Sequence, residues 1–366
     1  MKIALLNLPY DNNYGGNLQR YALMKVLQDM GHDVTHINLR FGYYLLWYKK
    51  PYSYTKRFIL KYLLGKDIKI NQEQYLKQKY EERCAVTEPF YQRYIKHTEP
   101  ITDLKKLREL HGFDAFVVGS DQVWRKNIAG KYLNTMFLDF LPVDTNVKRI
   151  AYGVSLGVAE NELSKEEIKR LSELYKRFDA VSVREDSALN LLKEYDWTNP
   201  QAIQVLDPTM LLTKKDYMQL INNAPTVPSK GNMFCYILDK TEEKSQLIKQ
   251  KAEELQLKPF ELGLTDDKPA SIEQWLRSFA DAKYVITDSY HGLVFSIIFN
   301  KPFHLIWNKF RGNARFESLL TMFSLSEKNN ITDSKMLGET ILNMRIQSNS
   351  ILRNQLKRKV YESDIL

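Results

Sequence analysis

Five residues of different chemistry share one short turn at Asp288-Ser289-Tyr290-His291-Gly292. Asp288 and Ser289 are N-cap types, Gly292 has no side chain to block a ligand, and the free N–H groups and dipole of a helix start favour an anion. His291 adds a hydrogen-bond donor and a proton carrier near neutral pH. Together they suit phosphate or carboxylate chemistry, although a turn histidine that only caps its own helix uses the same residue types. Arg184 follows the apolar run 180–183 and precedes the helix-starting Glu185, Asp186 and Ser187. Its planar fork fits a carboxylate or phosphate as well as it fits a surface ion pair. Two further stretches collect small and polar residues, Gly119-Ser120-Asp121-Gln122 and Gly15-Gly16-Asn17-Leu18-Gln19. In the second, the glycines allow close backbone approach, as they would in a tight turn, and Asn17 and Gln19 can hydrogen-bond.

The elements that must position these groups repeat a strand–turn–helix rhythm. Lys2 to Leu8 reads as a buried strand, a glycine-bearing loop follows, and a helix begins near Leu18 and closes at Gly31 before a strand from Val34 to Leu39. Residues 41–110 interrupt the rhythm with a basic, aromatic, helical insertion. It resumes with strands at 115–118, 149–155, 180–183 and 202–206, the last ending in Asp207-Pro208. After Pro225 and Pro228 a second set begins at Met233, with strands at 259–262, around Val285 and Ile286, and at 303–307, and with Arg311 and Arg315 in a loop before a helix. The run from Leu293 to Phe299 is apolar nearly all round, as in an enclosed helix. Ligands of open α/β sheets bind outside the carboxyl ends of the strands. The expected architecture is therefore α/β, with two facing Rossmann-like domains at 1–225 and 226–366 and a cleft between them.

Composition narrows the classes. A chain of 366 residues exceeds one ordinary core, and no apolar run approaches a membrane span. MKIALLNLP is too short and too soon interrupted to be a secretory signal, and two isolated cysteines, Cys84 and Cys235, form no disulfide framework, so a cytoplasmic protein is expected. The formal net charge of +9 favours anionic partners. No nucleic-acid motif, dinucleotide fingerprint or P-loop occurs, and sparse His and Cys with no ligand spacing give no reason to expect a metal or cofactor.

Several stretches in order, YGGNLQRYAL, GSDQVW, AYGVSLG, VSVREDSA with VLDPTMLL, and TDSYHGLVFSIIFNKPF, resemble the polysaccharide pyruvyl transferase family. The resemblance spans Met1 to about Phe323. It implies a glycosyltransferase B-like fold and transfer of the enolpyruvyl unit of phosphoenolpyruvate onto two hydroxyls of one sugar, on a cell-surface polysaccharide or its lipid-linked repeat. It further implies that Arg184 and His291 help to bind the donor. Arg184 and the 289–292 helix start, Tyr290 included, then serve as separate clamps for the donor's two anions. His291 becomes the first candidate for proton transfer, and Asp121 and Asp288 are candidates for activating the acceptor. Gly15, Gly16, Asn17, Gln19, Ser120 and Gln122 complete the expected substrate-binding set. The chain departs from the family where many members carry a Gly-Asn-x-Gly-Asp type loop and at Arg125, which bears on the acceptor. A nucleotide-sugar glycosyltransferase is the other enzyme such a cleft accommodates, and a non-catalytic assembly protein of a polysaccharide pathway keeps the fold alone. Phe41 to Lys69 combines many aromatic and aliphatic residues with seven Lys and Arg against Asp67 alone. That composition suits contact with the inner face of a membrane, or else packing of Phe58, Leu60, Tyr62 and Leu64 over the N-terminal sheet.

Overall fold

Apolar runs that do not alternate with polar residues become interior parallel strands, covered on both faces by the helices that connect them. The computed structural model describes every residue except 44, 46, 263–268, 308–312, 326–327, 330–333 and 358–366. Its first domain contains β1 (Lys2–Leu6), α1 (Tyr14–Asp29), β2 (Asp33–His36), α2 (Lys50–Tyr62), α3 (Gln72–Cys84), α4 (Glu88–Tyr94), β3 (Ala115–Val118), α5 (Lys126–Ala129) and β4 (Lys148–Val154). It continues through α6 (Lys165–Tyr175), β5 (Ala180–Val183), α7 (Asp186–Glu194), β6 (Ile203–Gln204), α8 (Pro208–Leu211) and α9 (Lys214–Asn222). The second comprises β7 (Met233–Tyr236), α10 (Glu242–Leu255), β8 (Pro259–Glu261), α11 (Ile272–Asp281), β9 (Tyr284–Thr287), α12 (Tyr290–Ile298), β10 (Phe303–Leu305), α13 (Ala314–Met322), β11 (Lys328–Asn329) and α14 (Ser334–Leu356).

The first sheet runs β2-β1-β3-β4-β5-β6, all parallel, and the second β11-β10-β9-β7-β8, parallel except for β11. Each domain is Rossmann-like, and each reverses its strand order once, between β1 and β3 and between β7 and β9. Ligand crevices open at such reversals. The pair of facing domains, with a helical insertion between β2 and β3, is the glycosyltransferase B-like arrangement.

Several strands end earlier than expected, β1 at Leu6, β2 at His36 and β10 at Leu305, and two further readings change. The first helix starts at Tyr14, not near Leu18, because Asn13 caps it by accepting a hydrogen bond from the Gly16 N–H. Gly15 and Gly16 thus lie in a helical turn and not in a loop. The strand expected at 202–206 shrinks to Ile203–Gln204, an edge strand paired only with β5.

The domains share one apolar core. Tyr14 stacks on Trp275 with ring centroids 5.3 Å apart, and its hydroxyl donates to the Ala270 carbonyl at 2.6 Å. Trp275 in turn meets Tyr236, Phe279 and Phe295. The last helix, assigned to the second domain from sequence, returns to the first. Arg345 Nε and Nη2 donate to the carbonyls of Met210 and Leu212 at 2.9 and 2.8 Å, and Ser348 Oγ accepts from the Leu206 N–H at 3.1 Å. Among the described residues no helix is long and apolar enough to cross a membrane.

The insertion is held unevenly. Arg40 grips Glu88 through both terminal nitrogens at 2.9 Å and lies 4.0 Å over the Tyr10 ring, while Tyr80 donates to the Tyr10 carbonyl at 2.6 Å, so α3 and α4 are bonded to the domain. By contrast, α2 buries none of its residues. Tyr14→Ala removes both the ring stack and the hydrogen bond across the cleft, and we expect it to cost about 3–5 kcal/mol, as other large core truncations do. A melting temperature within a degree or so of wild type would show that this contact does not hold the domains together.

Candidate functional site

Charged side chains from the carboxyl ends of both sheets converge on Asp207. This residue caps α8, its Oδ1 accepting from Thr209 N–H at 2.9 Å and Thr209 Oγ1 at 2.6 Å. Its Oδ2 accepts from Gln19 Nε2 of α1 and from Arg184 Nη1 after β5, each at 2.7 Å. His291 Nε2, reaching over from α12 of the second domain, lies 3.9 Å from the same oxygen. Burial opposes ionisation of Asp207, but Arg184 and then His291 outweigh it and hold the pKa below the ordinary carboxylate value. Sequence reasoning passed over this residue as the end of a strand, although the Asp-Pro pair within VLDPTMLL was a usable signal.

Arg184 is buried, yet its Nε and Nη2 make no hydrogen bond. They stand 3.8 Å from Glu185 Oε2 and from Asp121 Oδ1 respectively. The guanidinium lies 4.4 Å from the centroid of the Tyr290 ring, and Arg315 approaches that ring at 5.3 Å. Burial first, and repulsion from Arg184 next, push the Arg315 guanidinium down to about 10. Arg311 falls outside the described residues. Glu185, read from sequence only as a helix start, braces the Ser-Leu-Gly segment after β4. Its Oε1 accepts from Ser155 Oγ and from the N–H groups of Leu156 and Gly157 at 2.8, 2.9 and 3.0 Å.

His291 comes within contact of the first domain because of Gly15. A Cβ at that position would lie 2.0 Å from His291 Nδ1, so only glycine lets the helix and the imidazole meet. Burial pushes the His291 pKa down to about 4, Asp207 and Asp121 opposing and Arg184 and Arg315 reinforcing the shift. The imidazole is therefore neutral near pH 7, with a buried Nε2 that makes no hydrogen bond. Behind it, Ser289 Oγ caps α12 by accepting from Gly292 N–H at 3.3 Å, and a Cβ on Gly292 would sit 2.1 Å from Thr287 Oγ1. Gly292 thus lets α12 start directly against β9.

The remaining sequence candidates divide. Asp121 joins the cluster; it adopts φ 83°, unusual for a non-glycine residue, and hands its carbonyl to the N–H groups of Val123 and Ser155. Ser120 donates to the Gly153 carbonyl at 2.7 Å and accepts from Gln19 Nε2 at 3.2 Å, so it supports Gln19. Asn17 is used within its own turn, donating to the carbonyls of Asp11 and Asn13 and accepting from Arg20, and Gly16 packs beside Arg20. Gln122 accepts from Arg125, which also pairs with Glu162 at 3.1 Å, so this pair braces a neighbouring loop. Asp288 turns toward the second domain, accepting from the N–H groups of Leu238 and Asp239 and from Lys244 Nζ at 2.7, 3.2 and 2.7 Å. Its carboxylate is thereby committed to the turn after β7.

Beside Asp121 opens a cavity of about 480 Å³ lined by Leu8, Asp11, Asn13, Arg20, Phe41 and Tyr132, among others. Carboxylate, amide and guanidinium groups set against two aromatic rings can hold a hydroxyl-rich ring. Among the described residues no group of three or more His, Cys, Asp or Glu side chains is arranged to hold a metal ion.

The family model for polysaccharide pyruvyl transferases matches residues 13–309 of the chain. Comparison with curated proteins gave no match. Among solved structures, UDP-GlcNAc 2-epimerase from Methanocaldococcus jannaschii superposes with a TM-score of 0.49 at 10% identity, covering 97% of this chain and 99% of that one. The Neisseria meningitidis UDP-GlcNAc 2-epimerase bound to UDP-GlcNAc gives 0.48 at 10% identity over 97% and 99%. An alpha-glucosyltransferase in complex with UDP gives 0.46 at 10% over 98% and 100%. Likeness this distant bears on neither substrate nor mechanism.

Two consequences can be measured. The unfolded chain binds a proton on His291 below its ordinary pKa of 6.5, whereas the folded chain does not until about 4. Stability should therefore fall as pH drops through that window, by up to about 3 kcal/mol at the low end. Urea melts of His291→Gln should show a flatter pH dependence there, and an unchanged slope would contradict the buried neutral imidazole. Gly15→Ala sets two effects against each other: alanine favours the helix by about 1 kcal/mol, while the overlap with His291 displaces the ring or parts the domains. We expect turnover to fall roughly a hundredfold, the usual scale for a misplaced reacting group. A variant both more stable and fully active would refute the contact.

Proposed function

The chain belongs to the polysaccharide pyruvyl transferase family, and from that premise we propose that it transfers the enolpyruvyl unit of phosphoenolpyruvate to a sugar as a pyruvate ketal. The sugar belongs to a cell-surface polysaccharide or to its lipid-linked repeat. The observation that carries this reading is the pairing, in one buried cluster, of two Arg184 nitrogens without hydrogen bonds and a His291 Nε2 without one. The donor carries its two anions, a carboxylate and a phosphate, on one carbon. The planar edge of Arg184 suits its carboxylate, while His291, Arg315 and the start of α12 suit its phosphate.

The reaction balances with these groups alone. A proton reaches the donor's methylene carbon, converting it to a methyl group and leaving the adjacent carbon electron-poor. One sugar hydroxyl attacks that carbon and gives up its proton, the C–O bond to phosphate breaks, and a second hydroxyl of the same sugar closes the ketal. One hydroxyl proton replaces the proton delivered to carbon, and the other leaves with inorganic phosphate. Asp121, quarter-exposed beside the cavity, is the base for the acceptor, because Asp288 is committed elsewhere. His291 is neutral in the free site. A phosphate dianion beside Nε2 raises its pKa, so the imidazole acquires the proton it must deliver as the donor arrives.

Isothermal titration of phosphoenolpyruvate in buffers of different ionisation enthalpy tests this reading. Wild type should bind it and take up about one proton at pH 7. His291→Gln should bind without uptake, and Arg184→Lys should lose most affinity, since an ammonium keeps the charge but not the fork. Binding of UDP-sugars with none of phosphoenolpyruvate would overturn the proposal in favour of a nucleotide-sugar transferase.

A further inference from the structure

We propose that α2 and the turns at its two ends form a docking surface for an anionic lipid bilayer. Tyr48, Tyr52, Thr55, Ile59 and Tyr62 recur at intervals of three and four, so at 3.6 residues per turn they lie along one face, with Leu63 beside them. That face is bare. Relative exposures are 57% for Tyr48, 73% for Tyr52, 61% for Tyr62 and 74% for Leu63, and Trp47 at the helix entry reaches 81%. The opposite side of the helix is the attached one: Arg57 clamps Glu73 at 2.6 and 2.7 Å and donates to the Ile70 carbonyl, and Tyr54 reaches Asn71. The packed alternative, with Phe58, Leu60, Tyr62 and Leu64 as core, is not what the structure contains: Leu60 is half-buried, and Phe58, Tyr62 and Leu64 are 53, 61 and 62% exposed.

The charge around this face decides its partner. Lys49, Lys50, Lys56 and Lys66 are all exposed, and no acidic residue lies between Trp47 and Lys66. Two copies of the chain apposed on this face would bring these lysines together, which opposes self-association. Anionic headgroups instead satisfy them, while Trp and Tyr rings prefer the depth at which headgroups meet acyl chains. At thirteen residues α2 is too short to cross a bilayer, so it lies in the surface. The proposal does not depend on which donor the cleft takes.

The test is co-sedimentation of the full chain with phosphatidylcholine vesicles containing about 30% phosphatidylglycerol, against pure phosphatidylcholine, at low and high salt. Wild type should pellet with the anionic vesicles at low salt and be released by high salt. The triple variant Lys49→Gln, Lys50→Gln, Lys56→Gln should partition about a hundredfold more weakly, as three basic residues near an anionic surface predict. Tyr52→Ser with Leu63→Ser should weaken binding to the anionic vesicles at low salt without changing the melting temperature, since neither side chain is packed. Failure of wild type to bind anionic vesicles at low salt, or equal binding by both variants, overturns the proposal. So does a concentration-dependent dimer in sedimentation velocity that the Tyr52→Ser, Leu63→Ser pair abolishes, because the face would then belong to a second copy.

Discussion

A buried carboxylate is costly unless every lone pair is met, and Asp207 is the place where this chain accepts that cost. Its oxygens are met from three directions: its own helix start through Thr209, α1 through Gln19, and β5 through Arg184. Each partner is then fixed in turn. Gln19 leans on Ser120, Ser120 on the Gly153 carbonyl within β4, and Glu185, the neighbour of Arg184, on the segment just after that strand. One charge thus sets the register of several strand ends. Its loss would leave Arg184 buried without its close counter-charge, which is a larger disturbance than the loss of one hydrogen bond.

The second constraint is steric. Both sheets reverse strand order at the same point in their topology, and the helix that follows β1 points Gly15 at His291 of the other domain. Two glycines do different work here. Gly292 lets α12 start hard against Thr287, which places His291 at the rim, and Gly15 leaves the volume into which the imidazole fits. The Tyr14 stack on Trp275 lies one residue away, so apolar burial supplies the adhesion that holds the imidazole against the helix.

Much of this was legible in the sequence because it is local. An all-round apolar helix behind a polar turn had to be enclosed, and α12 is; polar strand ends had to collect at one edge, and they do. What escaped depends on partners distant along the chain. Asp207 looks the same whether it only caps a helix or also binds Arg184 and Gln19, since its cap is written in Pro208 and Thr209 and its second role is not. The turn holding Asp288 was found, but the direction of the carboxylate depends on Leu238, Asp239 and Lys244 after another strand. Gly15 and Gly16 read as a loop because glycine disfavours helix interiors; the Asn13 cap offsets that, and the reason for Gly15 lies in the other domain. In the insertion, aromatic and aliphatic residues were evident, but whether a neighbour covers them cannot be written in α2 itself.

The free site is electrostatically unfinished in a specific way. Arg184 and Arg315 share the Tyr290 ring, their mutual repulsion contributes to lowering Arg315, and both depress His291. Asp207 answers one guanidinium through a direct bond but keeps the imidazole at 3.9 Å, too far for a hydrogen bond. A monoanion could complete Arg184 and leave His291 neutral. A ligand that carries a carboxylate and a phosphate on one carbon does both things at once: it fills the planar edge of Arg184 and adds negative charge at Nε2 to that of Asp207 and Asp121, against the burial that holds the imidazole neutral. On the proposed reading the proton needed for chemistry is absent until the donor supplies the reason for it, which spares the empty enzyme the cost of burying an imidazolium.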